Sequence, residues 1–106
     1  MRVLFDQGAP VPLRQHLSAH SVSTAFELGW TTLKNGELLG QAEAVGFGVL
    51  VTTDQNLKYQ QNLAGRSIAI VVISTTSWPR IRASVASVLQ AVDQSAPGTY
   101  CEVSVP

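Results

Sequence analysis

Residues 68 to 73 read Ile-Ala-Ile-Val-Val-Ile, an apolar run without alternation that is rich in β-branched side chains. A half-exposed strand alternates apolar and polar residues, whereas a strand covered on both faces does not. The run therefore predicts an inner strand of a parallel sheet, since such sheets carry helices on both faces. Residues 48 to 53, Gly-Val-Leu-Val-Thr-Thr, show a shorter run of the same kind, and residues 3 to 5 predict a third strand.

Weaker strand patterns occur at residues 21–24 and 99–105, which we place near the edges of the sheet. Helical patterns separate the strands: one opens at Pro10 and Pro12, one runs from the cap Asn35 to about Val45, and the longest runs from the cap Ser77 to Pro97-Gly98. This alternation predicts a three-layer α/β fold, in which helices flank a mainly parallel sheet of four to five strands. We expect residues 1–106 to form a single domain.

The composition excludes several classes of protein. The chain has 106 residues, of which 45% are hydrophobic and 13% are charged, and seven Lys and Arg balance seven Asp and Glu. Zero net charge argues against a strongly basic nucleic-acid binder, although a local basic rim stays possible. We expect no membrane span, no signal peptide and, with Cys101 alone, no internal disulfide. These features predict a cytoplasmic protein.

Two of the three aspartates follow predicted inner strands directly: Asp6 follows residues 3–5, and Asp54 follows residues 48–53. In open parallel sheets, sites form beyond the carboxyl ends of the strands, near the point where the strand order reverses. Neighbouring strands lie about 4.8 Å apart, so neighbouring placement would bring the two carboxylates together. Two such anions repel unless a proton or a cation neutralises them. We therefore predict that Asp6 and Asp54 hold Mg²⁺ or Mn²⁺, which favour oxygen ligands.

Glu37 is the third predicted catalytic and metal-binding residue, because it begins a helix after Asn35 and could point across the same edge. We assign substrate binding to four residues: Asn35, Asn56, Lys58 and Arg14. Asn56 could be a neutral ligand or could hold a metal-bound water, and Lys58 could meet a phosphate. A structural role stays open for each acid, since Asp caps turns after strands and the helix dipole stabilises an acid in a first turn.

Other reactive residue types lack partners in the sequence. His16 and His20 have the spacing of a helical metal pair, but no third ligand of that kind is near them in the sequence. Cys101 has no evident base, and the sequence contains no P-loop, dinucleotide-binding or Gly-x-Ser-x-Gly motif. The paired aspartates are therefore the most informative feature.

Four segments, in this order, resemble motifs of small bacterial PIN-like proteins, which belong to the PilT N-terminal nuclease superfamily and are related to VapC-type toxins. They are Val3-Leu4-Phe5-Asp6-Gln7-Gly8 with Pro12-Leu13, His20-Ser21-Val22 with Glu27-Leu28-Gly29, Asn35-Gly36-Glu37-Leu38-Leu39 with Ala42, and residues 49 to 57, Val-Leu-Val-Thr-Thr-Asp-Gln-Asn-Leu. The run at 68–73 fits the strand that follows. The resemblance covers essentially the whole chain.

The resemblance implies a PIN-like α/β/α fold and a metal-dependent ribonuclease, with Asp6 matching the first metal-binding acid and Asp54 a later one. It also implies a possible toxin that a small antitoxin protein silences, and we expect a homodimer. The chain departs from the group at Asn35 and Asn56, where an aspartate is usual. Each change removes a negative charge and should weaken metal binding.

Two other functions stay open. A catalytically degenerate PIN-like module would keep the fold and serve protein interaction, and the two asparagines favour it. A phosphoacceptor receiver domain also has acids after its first and third strands. It needs a second acid beside Asp6 and a lysine after the last strand, where this chain has Gln7 and Pro106. The receiver interpretation therefore lacks the groups that bind phosphate.

Overall fold

The computed structural model describes residues 1–57, 63 and 65–106. Strands and helices alternate along the chain. They are β1 (Arg2–Phe5), a 3₁₀ helix (Val11–Leu17), β2 (Ser21–Thr24), α1 (Asn35–Ala44), β3 (Val49–Thr52), β4 (Ala69–Ile73), α2 (Trp78–Arg82), α3 (Val85–Asp93) and β5 (Tyr100–Val103). Within the ranges described, no helix combines the length and the apolar character that crossing a bilayer requires.

The five strands form one parallel sheet with the order β2-β1-β3-β4-β5. β3 and β4, whose apolar runs predicted inner strands, are buried at every position. β2 and β5 form the two edges, as their weaker patterns predicted. The predicted three-layer α/β fold is therefore confirmed, with five strands in the sheet.

Helices cover both faces of the sheet, because successive side chains of a strand point to opposite faces. One core joins the 3₁₀ helix, α2 and α3 to the sheet, and it includes Val3, Phe5, Leu13, Leu17, Val51, Val71, Ile81, Val88 and Val92. The other core joins α1 to the opposite face, and it includes Leu4, Leu38, Leu39, Ala42, Leu50, Ile70 and Val72. Alternate residues of β1 and β3 therefore belong to different cores.

The first helical segment begins where the prolines predicted it. Residues 11–17 form a 3₁₀ helix rather than an α-helix. At its start the Leu13 N–H donates to the Pro10 carbonyl at 3.1 Å, the three-residue spacing of this tighter helix. Leu13 and Leu17 still face the core, both fully buried. The prolines therefore opened a helix as predicted, but the connection from β1 to β2 is a short piece, for which 3₁₀ geometry is common.

The predicted longest helix is also wrong as a single element. Ser77 is the N-cap of α2 as predicted, but α2 ends at Arg82. Ser84 has φ −124° and ψ 22°, outside the α-helical region, and it is the N-cap of α3. The Ser84 N–H donates to the Ile81 carbonyl at 2.8 Å and closes α2 with a tight turn. Both helices bury side chains against the same face, which is why one apolar stripe covers them.

Candidate functional site

β1 and β3 are parallel neighbours, with Phe5 opposite Val51 in the register. The strand order reverses at this pair, because β2 lies on one side of β1 and β3 on the other. The Asp6 N–H donates to the Val51 carbonyl at 3.2 Å, so Asp6 extends this pairing beyond β1. Asp54 comes shortly after the end of β3. Both aspartates therefore lie at the reversal point of a parallel sheet, where ligand sites form in open α/β folds.

Thr52 connects the two aspartates. It is the last residue of β3 and is only 1% exposed. Its hydroxyl donates to Asp6 Oδ2 and accepts from the Asp54 N–H at 3.0 Å. A buried hydroxyl disfavours folding unless it is hydrogen-bonded, and here it both donates and accepts. One side chain thus fixes the Asp6 carboxylate relative to the backbone of Asp54.

The Asp6 carboxylate also holds the turn after β1. Its Oδ1 accepts from the Gly8 N–H at 3.0 Å and from the Ala9 N–H at 3.2 Å. Burial raises the pKa of Asp6 above its ordinary value. The hydrogen bonds from Thr52, Gly8 and Ala9 oppose this rise without cancelling it, and repulsion from the Asp54 carboxylate adds to it. The buried Asp6 carboxylate is therefore stabilised either by taking up a proton or by a nearby cation.

The Asp54 carboxylate links the end of β3 to the start of α1. Its Oδ2 accepts from Asn35 Nδ2 at 3.0 Å, and its Oδ1 accepts from the Asn56 N–H at 3.0 Å. Asn35 is the first residue of α1 and Lys34 is the N-cap, so the predicted cap is wrong by one position. The Asn35 amide donates to Asp54 at a position where a carboxylate would repel it.

Glu37 makes a capping interaction within its own helix. It is exposed, and its Oε1 accepts from the Lys34 N–H at 3.2 Å. This bond satisfies a backbone donor that the start of α1 would otherwise leave free, as in a capping box. In the part of the chain that the structure describes, no three His, Cys, Asp or Glu side chains form a group that could hold a metal ion. The structure thus shows Glu37 in a helix-capping contact, which is the structural role that the sequence left open for it.

Arg14 lines a cavity together with Asp6 and forms an ion pair with Glu27. Its guanidinium donates to both carboxylate oxygens of Glu27. The hydrogen bond from Arg14, followed by that from the Thr24 N–H, holds the pKa of Glu27 below its ordinary value. Of the other residues predicted to bind substrate, Asn56 is exposed near Asp54, whereas Lys58 lies outside the described residues.

Two cavities flank Asp6. The larger has a volume of about 250 Å³ and is lined by Asp6, Gln7, Ala9, Val11, Arg14, Thr24, Phe26 and Glu27. The smaller, of about 130 Å³, is lined by Asp6, Gln7, Gly8, Ala25, Trp30, Leu33, Asn35 and Leu38. Asp6 lines both cavities and therefore lies between them.

The donor set fits a hard divalent cation. A carboxylate offers about four lone-pair positions. Among the described residues, three hydrogen bonds reach Asp6 and two reach Asp54, so these contacts leave each carboxylate capacity for a further partner. Mg²⁺ is usually bound by one or two carboxylates, while water and phosphate oxygens complete its shell. Metal binding by Asp6 and Asp54 stays a prediction that this chemistry permits.

The sequence interpretation missed two residues of this site, Thr52 and Glu27. Thr52 follows three apolar residues in a strand that is buried throughout, and a hydroxyl at such a position needs a partner. Thr24 and Glu27 have the capping-box spacing. The Thr24 N–H donates to Glu27 Oε1 at 2.9 Å, and the Glu27 N–H donates to Thr24 Oγ1 at 3.1 Å. Both signals were present in the sequence.

The motif resemblance is a further guide to this site. In comparisons with known proteins, no family model, no curated protein and no solved structure matches the chain. Membership of the PIN-like group therefore stays a prediction from the quoted motifs.

Proposed function

We propose that this chain is a metal-dependent endoribonuclease of the PIN-like type, with Asp6 and Asp54 as its catalytic and metal-binding residues. The observation that carries the proposal is the position of these two carboxylates. They follow neighbouring parallel strands at the reversal point of the sheet, and Thr52 contacts both residues. The order of the motifs that resemble PIN-like proteins supports nuclease chemistry at this place.

The reaction would be hydrolysis of a phosphodiester bond, in which a water oxygen bonds to phosphorus while the bond to the leaving oxygen breaks. Mg²⁺ or Mn²⁺, held by Asp6 and Asp54, would supply positive charge at the phosphate and acidify a water molecule. Thr52 holds the Asp6 carboxylate, and Asn35 holds that of Asp54. Such positioning matters because small displacements of reacting groups cost large factors in rate.

The substrate we propose is single-stranded RNA. Arg14 and Lys58 would contact its backbone, and Asn56 would orient the phosphate or a water. We further propose a cytoplasmic homodimer that acts as a toxin and is silenced by a small antitoxin protein. A short DNA-binding antitoxin in the neighbouring reading frame would support the toxin role.

The test is cleavage of single-stranded RNA in the presence of Mn²⁺ by the wild type, Asp6→Asn and Asp54→Asn. Asp93→Asn is the matched control, because Asp93 is the remaining aspartate of the chain and pairs with His20. We expect each site variant to lose at least about a hundredfold in rate, and the control to match the wild type. Equal activity in all four proteins would indicate a contaminating nuclease and overturn the proposal.

A non-catalytic interaction module is the second candidate, and the contacts of Glu37 and Asn35 favour it. Glu37 caps α1, and Asn35 gives Asp54 a neutral partner, so the acids do not require a metal to be accommodated in the fold. Calorimetric titration with Mn²⁺ separates the two functions. Absence of binding at millimolar metal supports the interaction module, whereas binding that Asp6→Asn abolishes supports the nuclease.

A further inference from the structure

Phe26 is the most exposed large apolar side chain among the described residues, at 80%, and the next is Val11 at 59%. Both line the larger cavity, together with Asp6. A phenylalanine that stays in water forgoes the free energy that burial of its ring would provide. An exposed aromatic ring at the rim of a cavity beside the candidate catalytic carboxylate is therefore a feature to be explained by a ligand.

The segment that carries Phe26 is anchored on both sides of the ring. The Ala25 N–H donates to the Phe5 carbonyl at 2.8 Å, the Trp30 N–H donates to the Ala25 carbonyl at 2.9 Å, and Ala25 is only 2% exposed. The Thr24 and Glu27 pair closes the turn around Phe26 from both ends. The backbone thus presents the ring to solvent from a fixed position, so little ordering would be needed on binding.

The chemistry of the cavity suits a flat group with a polar edge. Phe26 and Val11 supply apolar surface, while the paired Arg14 and Glu27 place a cation and an anion in the same lining. An unpaired nucleobase has these properties, since its face stacks on aromatic rings and its edge carries donors and acceptors. The volume of about 250 Å³ is below the roughly 300–1,000 Å³ of pockets for larger ligands, which favours a single base.

We propose that this cavity is a subsite for one unpaired nucleobase of the RNA substrate, which stacks on Phe26 while the adjoining phosphate lies at Asp6. The inference rests on the proposed ribonuclease function and adds the residue that selects single-stranded substrate. A base within a duplex is already stacked on its neighbours and cannot enter the cavity, so Phe26 favours single strands and loops.

A protein partner fits this surface less well. A stable protein interface buries about 800 Å² on each partner and has an apolar centre. Here two exposed apolar side chains, Val11 and Phe26, border the charged pair of Arg14 and Glu27. The mixed lining matches a small polar aromatic ligand better than the centre of an interface.

The experiment compares Phe26→Leu and Phe26→Trp with the wild type. Leucine keeps apolar bulk but has no aromatic face, whereas tryptophan keeps the stacking surface. The probe is a short single-stranded RNA that carries 2-aminopurine, whose fluorescence is quenched when the base stacks, and cleavage with Mn²⁺ is measured in parallel. Val45→Ala is the control, because Val45 is also partly exposed, at 39%, and follows α1 at the end remote from Asn35.

We expect Phe26→Leu to bind the RNA roughly tenfold more weakly, to raise KM by a similar factor and to leave the 2-aminopurine fluorescence unquenched. Phe26→Trp should bind the RNA like the wild type. Equal binding by Phe26→Leu, in an enzyme whose cleavage depends on Asp54, would overturn the subsite and leave the ribonuclease function intact. RNA binding that needs Phe26 without any cleavage would support the subsite and contradict the catalytic function. If Phe26→Leu altered only the self-association of the protein and not RNA binding, the surface would be assigned to a second copy of the chain and the proposal would be overturned.

Discussion

Thr52→Val is the most direct test of how the site is held together. The substitution keeps the β-branched shape of a residue that is 1% exposed, and it removes the hydroxyl that donates to Asp6 and accepts from the Asp54 N–H. A hydrogen bond to a charged group contributes about 1.5–3 kcal/mol, and a buried donor left without a partner costs about 1–3 kcal/mol. The added methyl group recovers about 0.8 kcal/mol through apolar burial.

We therefore expect Thr52→Val to lower the free energy of unfolding by about 2–5 kcal/mol, a large share of the roughly 5–15 kcal/mol that domains possess. The melting temperature should fall by at least ~8 °C, since each kcal/mol shifts it by about 4–8 °C in a small domain. Urea denaturation followed by circular dichroism measures the first quantity, and a thermal scan measures the second.

The same variant should raise the pKa of Asp6 further, because the Thr52 hydrogen bond is the largest influence that lowers it. A carbon-detected NMR titration of the Asp6 carboxyl group reports this shift directly. Thr53→Val is the control, since it makes the same substitution at the next residue and leaves the Thr52 bonds in place. If both variants lost equal stability and left the pKa of Asp6 unchanged, the connecting role of Thr52 would be refuted.

Four further predictions concern charge and space. In metal-free buffer, Asp6→Asn should raise the free energy of unfolding at neutral pH, because folding raises the pKa of Asp6. This gain should disappear as the pH falls below the ordinary value of 3.8, which denaturation at several pH values would show. Glu43→Gln should have the opposite sign. Burial raises the pKa of Glu43, but its hydrogen bonds from Arg66, Ser67 and Ile68 outweigh this and hold it at about 2. Glu43→Gln should lower the free energy of unfolding by about 1–2 kcal/mol above pH 4.5. The difference from the wild type should vanish towards pH 2 in the same measurements. Gly8→Ala should destabilise the fold by about 1–3 kcal/mol, because the added Cβ would overlap Thr53 Oγ1. Gly40→Ala, whose Cβ meets only Arg66 at 3.9 Å, should instead stabilise α1 by about 0.5–1 kcal/mol in urea denaturation.

The sheet could be predicted because strands buried on both faces have uninterrupted apolar sequences. The runs at 48–53 and 68–73 lack alternation since both faces of β3 and β4 are covered. The break between α2 and α3 does not interrupt the apolar pattern of the sequence. Ile81 and Val88 bury side chains in the same core whether one helix or two carry them, so the apolar stripe could not reveal that Ser84 leaves the helical region.

The site was predictable to the extent that it depends on topology. Asp6 and Asp54 each follow a strand, and the strand order alone brings these positions to one edge. The partners of each carboxyl group depend on rotamers and on turn geometry, which periodicity does not encode. Glu37 could turn towards the sheet or back to the Lys34 N–H, and the structure shows the second. The smaller contacts that orient the acids therefore had to be read from the structure.

The two asparagines give the site an asymmetry that bears on its chemistry. Asn35 donates its amide to Asp54, and the Asn56 N–H donates to the same carboxylate, so Asp54 is held by neutral donors. The donors that reach Asp6 are neutral as well, but burial outweighs them and raises the pKa of Asp6. Burial of an ionised carboxylate disfavours the folded state unless a counter-charge is present. A cation bound at this edge would therefore offset the cost of burying the ionised Asp6 carboxylate. Asp6 also lines both cavities. Under the proposed function, in which both carboxylates hold the metal, the position of Asp6 on both cavities predicts that its loss weakens metal binding more than loss of Asp54 does.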